Sequence, residues 1–193
     1  CRVKNYPKSL RFATWCAIFL AGCTASTPLE DPRVFRYNES AAITSLDPAA
    51  ARNLEHMWVV DQLYDGLVEL GPDLTVLPCL AKSWTFDDER LAYQFRLRRD
   101  AVFTTGRPVQ ADDVVFSLER LRDPKVVSSG GWILDAVRPQ GIVALNDSTV
   151  EVRLREAYPP FLGLLTTAYG SIIDHEAASE EGRDLRDNPA GSG

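Results

Sequence analysis

Apolar and polar positions alternate from Ser83 onward. Trp84 and Phe86 are set between polar neighbours, Asp87 and Asp88 interrupt the run, and Leu91, Tyr93, Phe95 and Leu97 resume it. A period of two marks half-buried strands, and an acidic pair between two such runs marks a turn, so a hairpin is predicted. Thr104 to Pro108 follows with turn chemistry, Gly106 for a positive φ and Pro108 to stop ladder pairing. The period then lengthens. Ala111, Val114, Val115, Leu118 and Leu121 share one helical face, with Asp112 and Asp113 in the first turn and Arg120 and Arg122 near the last, charges that suit the helix dipole. Gln110 precedes this helix and caps poorly, so a frayed start is expected.

The flanking segments follow the same rules. Val34 to Tyr37 reads as a short strand, and Ser45 to Pro48 as a turn. Leu54, Met57, Val60, Leu63 and Tyr64 predict a helix that buries that face, with Asn53 as its N-cap and Gly66 as its C-cap before a strand at Leu67–Val68. Asp123–Pro124 stops the later helix, and Ser128 to Trp132 is a glycine-rich loop carrying one indole. Trp132 either plugs the adjacent core or stacks on a ligand. Ile142 to Leu145, the Asn146–Asp147 turn, and Val150, Val152 and Leu154 predict a second hairpin. Tyr158 to Leu162 opens a short helix with proline in its first turn, and Ile172–Ile173 reads as a buried strand.

Composition adds little, at 45% hydrophobic and 25% charged over 193 residues, but the placement of charge and cysteine adds more. Arg2, Lys4, Lys8 and Arg11 precede an apolar run, Phe12 to Leu20, too short to span a bilayer, which reads as a secretory signal. Leu20-Ala21-Gly22-Cys23 resembles a bacterial lipobox, in which Cys23 would become the lipidated first residue; the other reading is an ordinary signal in which Cys23 is incidental. Residues 1–22 are thus expected as signal peptide, 23–33 as a lipidated flexible tether, and 34–193 as the folded part. Removing those four cations leaves 17 basic against 27 acidic residues, a net charge of −10, which argues against nucleic acid or an anionic membrane face as partner. Cys79 is then without a disulfide partner and is expected as a small core residue. His56 and His175 have no ligand-spaced neighbour, so surface or capping roles and no metal are expected. No G-x-S-x-G or H-E-x-x-H occurs, and no catalytic residue is assigned.

Four linked blocks, LAKSW, YQFRLR, VFTTGRPVQ and ADDVVFSLER, occur in an order that resembles solute-binding protein family 5, the peptide, oligopeptide and nickel receptors of bacterial ABC importers. SLDP at Ser45 to Pro48 and YDGL at Tyr64 to Leu67 fit the same pattern, with Asp65 where the family carries Glu. The resemblance implies a mixed α/β fold of the type II periplasmic binding protein kind, here the first-lobe strand and the small inserted domain. It implies a cleft wall at Ala51, Arg52, Asn53 and Leu54, partly through backbone groups, although Asn53 also serves as a plain helix cap. Trp132 is the further ligand candidate. The implied protein is not an enzyme. It is a monomeric, extracytoplasmic, lipid-anchored receptor that binds a peptide or a small solute such as a nickel chelate, without a cofactor, and hands it to an ABC permease with its ATPase; the alternatives are a secreted sensory or structural lipoprotein of the same fold and a secreted hydrolase. The element at Asn188 to Gly193 resembles the one after which the family's second lobe begins, so the chain is expected to be the first part of a longer receptor. Weak or no binding is expected of residues 23–193 alone, with the charged partners of the ligand lying in that second lobe.

Overall fold

A computed structural model describes Asn38 and residues 42–193. The signal segment, Cys23, the tether and the strand expected at Val34–Tyr37 lie outside the described residues. Both predicted hairpins form. Strands β1 (Val68–Leu70) and β2 (Val76–Pro78) make a small separate ribbon, while β3 (Ala81–Asp87), β4 (Ala92–Leu97), β5 (Val137–Asn146) and β6 (Thr149–Leu154) make an antiparallel sheet ordered β3-β4-β6-β5. Asp87 closes the β3–β4 turn by accepting the N–H groups of Glu89 and Arg90, both at 3.0 Å. Leu91 belongs to this turn and not to a strand, at φ 52°.

The register explains the core. Trp84 faces Phe95 and Phe95 faces Val150; Phe86 faces Tyr93 and Tyr93 faces Val152, so one face of the sheet is a continuous apolar layer. Tyr93 and Phe161 rings meet at 5.5 Å, carrying that layer onto a short helix, Phe161–Leu164. The predicted helix spans Ala111–Arg120 and packs over β5 and β6, burying Ala111, Val114 and Leu118.

Several expectations are corrected by contacts distant in sequence. The start of helix Ala111–Arg120 is not frayed, because Asp113 does the capping: its Oδ2 accepts the Gln110 N–H at 2.8 Å. The earlier helix covers Leu54–Asp61; of the expected face Val60 and Tyr64 are buried and Met57 and Leu63 pack against the core, while Leu54 is 69% exposed and His56 is buried in addition. Gly66 is not its C-cap. The helix ends at Gln62, and Gly66 instead bridges Ser171, where a Cβ would press on the carbonyls of Val68, Leu165 and Gly170. Ile172 and Ile173 are buried but form no strand; that bridge and the Ile172 N–H to Asp65 carbonyl bond at 2.9 Å hold them. Neither histidine is merely superficial. His56 is 8% exposed and accepts the Thr44 N–H at 3.2 Å, while His175 Nδ1 lies 2.7 Å from Asp113. Pro108 does not end pairing, since it bridges Val102 across the Gly106 corner. Cys79 is half-buried and does not belong to the sealed core.

Candidate functional site

Asp47 organises the approach to the expected cleft wall. Its Oδ1 accepts the Ala49 N–H at 3.0 Å, capping the single 3₁₀ turn Pro48–Ala50, and both its oxygens take the Arg120 guanidinium at 2.8 and 2.5 Å. A bidentate guanidinium fixes direction as well as distance, so the turn is tied to the end of helix Ala111–Arg120. The chain leaves it through Ala51, buried, and Arg52, Asn53 and Leu54, exposed. Asn53 Oδ1 accepts the His56 N–H at 3.0 Å, so the capping role holds. Among the described residues the Arg52 N–H and carbonyl make no hydrogen bond. Two exposed apolar groups one helical turn apart, Leu54 and Trp58 at 62%, continue this surface.

Trp132 lies on the 3₁₀ turn Gly131–Leu134 and is 51% exposed, while its neighbours Ile133 and Leu134 fill the core. The indole is therefore not the plug. The structure joins this loop to the Ala51 segment at two points. The Ser129 N–H donates to the Ala49 carbonyl at 3.1 Å, and Tyr169 packs on Gly130 while its hydroxyl donates to the Ala51 carbonyl at 2.6 Å. Sequence reasoning missed Tyr169, and no local signal marks a bond between residues 118 positions apart. It also treated Asp113 as a dipole residue. Asp113 is fully buried and receives Arg107 and His175, beside Asp174, which takes Arg107 Nε at 2.9 Å and Thr105 Oγ1 at 2.6 Å.

The open pockets of the surface lie elsewhere. A cavity of 430 Å³ is lined by Asp65, Glu69, Cys79, Arg98, Asp100 and Ser192 among others, and by none of the five expected ligand residues. Burial pushes the Cys79 thiol up to about 11, and the charges of Asp65 and Glu69 add to it, so the sulfur stays protonated and is a poor nucleophile or ligand. No group of three or more His, Cys, Asp or Glu suited to a metal occurs among the described residues. Among the described residues this surface presents the unbonded N–H and carbonyl of Arg52, its guanidinium and two exposed indoles, groups of the kind that hold an extended polar ligand.

Residues 75–193 match the family model of bacterial extracellular solute-binding proteins, family 5, middle. A probable deoxycholate-binding periplasmic protein, YgiS, of Escherichia coli is 29% identical over 86% of this chain and 34% of its own length. The peptide transport periplasmic protein SapA of Salmonella typhimurium is 32% identical over 88% of this chain and 35% of its own. The solved structure of Listeria monocytogenes OppA bound to peptide superposes with a TM-score of 0.75 at 27% identity, over 80% of this chain and 34% of that one. The chain thus spans about a third of the length of the relatives it matches.

Proposed function

The chain belongs to the bacterial extracellular solute-binding proteins of family 5, and from that premise we propose that it supplies one wall of a solute cleft in the binding component of an ABC importer. The ligand is a peptide or another small polar solute, and the wall is Ala51, Arg52, Asn53 and Leu54 with Trp132 beside it. The observation that carries this reading is the Arg52 peptide, exposed and without a hydrogen-bond partner among the described residues, on a segment held rigid on both sides by the Asn53 cap and the Tyr169 bond. Free peptide groups on a rigid edge bind an extended chain as an added strand, tolerating varied side chains. A second lobe closing over this wall by hinge rotation would bury the ligand and present the closed form to the permease and its ATPase. The receptor works as a monomer without a cofactor and turns nothing over. Cys23 carries lipid that holds it at the outer side of a bacterial membrane.

The test is a titration of the isotopically labelled chain with trialanine, followed by amide and indole NMR shifts. Shifts are expected at Ala51 to Leu54 and at the Trp132 indole N–H, with a dissociation constant on the order of 1 mM, since a single wall buries little of its ligand. Shifts confined to the Cys79 cavity, or hydrolysis of the peptide, would sink the reading.

A further inference from the structure

Tyr169 is the side chain on which the two ligand-facing segments meet. Its hydroxyl donates to the Ala51 carbonyl, and its ring fills the space that a Cβ on Gly130 would need, so glycine at 130 is what lets ring and loop touch. The residue is 7% exposed. Burial pushes its phenol above the ordinary 10.0 while the Arg52 charge works against that, so the hydroxyl remains a donor at any physiological pH. Its own turn, Ala168–Gly170, is anchored from behind: the Gly170 N–H donates to the Thr167 carbonyl at 2.7 Å, and Ser171 bridges Gly66.

We propose that Tyr169 is a positioning residue that fixes the Ala51–Leu54 segment against the Gly130–Trp132 loop, so that a solute meets both at a set spacing. The role rests on the reading of these segments as one cleft wall. The bond engages the Ala51 carbonyl, while the Arg52 N–H, on the opposite side of the same trans peptide, makes no hydrogen bond among the described residues. An ordinary core tyrosine would stabilise the whole fold evenly; this one spans two segments that share no strand pairing with each other.

The experiment is hydrogen exchange on the full chain and its Tyr169→Phe variant, which keeps the ring and loses only the donor. Exchange of amides at 51–56 and 129–133 is expected to rise about fivefold, the worth of one net intramolecular hydrogen bond, while amides of β3, β4 and β6 keep their protection relative to global stability. Ser117→Ala serves as the comparison, since its hydroxyl makes a buried bond to the Asp113 carbonyl and accepts the Ile173 N–H, and neither partner belongs to either segment. It should leave both stretches protected. A uniform rise in Tyr169→Phe, or none, overturns the proposal. In the trialanine titration the variant should bind about fivefold more weakly. Trialanine shifts in the wild-type chain that fall outside residues 51–54 and Trp132 overturn the cleft reading itself, whereas equal shifts and equal binding by wild type and variant overturn the role of Tyr169 alone.

Discussion

Arg107 holds two carboxylates that have almost no contact with water, Asp113 at 0% and Asp174 at 2% side-chain exposure, and Asp174 shows how such a pair sets pH dependence. Burial pushes the Asp174 carboxyl up, but the hydrogen bonds from Arg107 and Thr105 outweigh it and leave it below its ordinary 3.8. Glu151 behaves alike: burial raises it, and Gln94 and Arg153 hold it below 4.5. A carboxyl depressed in the folded state contributes stability that is fully present above its unfolded value and disappears as pH falls through the folded one. Stability measured by urea unfolding should therefore be level above about pH 5 and fall progressively below about pH 4. Asp174→Asn should cost about 2 kcal/mol at pH 7, since Arg107 loses one of its two carboxylates and keeps Asp113, and should flatten part of the acid limb. An unchanged acid limb in that variant would remove Asp174 from the account. In the sequence, Asp112 and Asp113 look alike as first-turn acids. Only the fold separates them, because the partner of Asp113, His175, arrives from 62 residues away.

Elements were legible where the pattern was local and strong. The two hairpins and helix Ala111–Arg120 follow from periods of two and 3.6 with matching turn residues, and the structure places them as read. Ile172–Ile173 misled because an apolar pair says that a segment is buried and not what it pairs with; here the partner is a single bridge at Gly66–Ser171. The turns show a second limit, since among the described residues six sit at positive φ and only two of these, Gly106 and Gly182, are glycine. Gly106 sits at φ +86° with nothing within 4 Å of a Cβ, whereas the β1–β2 turn places Leu74 at φ 64° and 76% exposed. An L-residue there costs roughly 1–2 kcal/mol, and an exposed leucine regains little of it by packing. Leu74→Gly is expected to stabilise by about 0.5 kcal/mol after the entropy of glycine is subtracted, raising the thermal midpoint by about 1–2 °C. Gly106→Ala, with the opposite change in conformation and no new contact, should lower it by a few degrees, roughly 1 kcal/mol. Calorimetric scans of both variants check the pair. A fall in Leu74→Gly would mean that the leucine side chain contributes more than its backbone costs.

At the scale of the whole molecule, the candidate wall could be pointed to in sequence only through its resemblance to a family, because a cleft wall is defined by what faces it. Ala51 to Leu54 carry no motif of their own beyond the Asn53 cap, and Tyr169, which ties them to the Trp132 loop, is 118 positions away. Attachment to a membrane, by contrast, is written locally. Among the described residues no helix is long and apolar enough to cross a bilayer, and past Arg11 the acidic residues outnumber the basic ones 27 to 17. Such a surface is repelled by anionic headgroups, so binding by charge is disfavoured; under the proposed function the hold comes from acyl chains, of which more than one is needed. In that proposal Cys23, behind Leu20-Ala21-Gly22, is the acceptor for them. In bacteria expressing the chain, wild-type protein is expected in the membrane fraction, resistant to a high-salt wash and released by detergent, and labelled by a fed palmitate analogue. Cys23→Ser should lose the label and fail to mature to the lipidated form, while the described body, whose buried residues start at Ser45, keeps its thermal midpoint. Release of the wild-type protein by salt alone, or labelling that survives Cys23→Ser, would show that the hold on the membrane has another source.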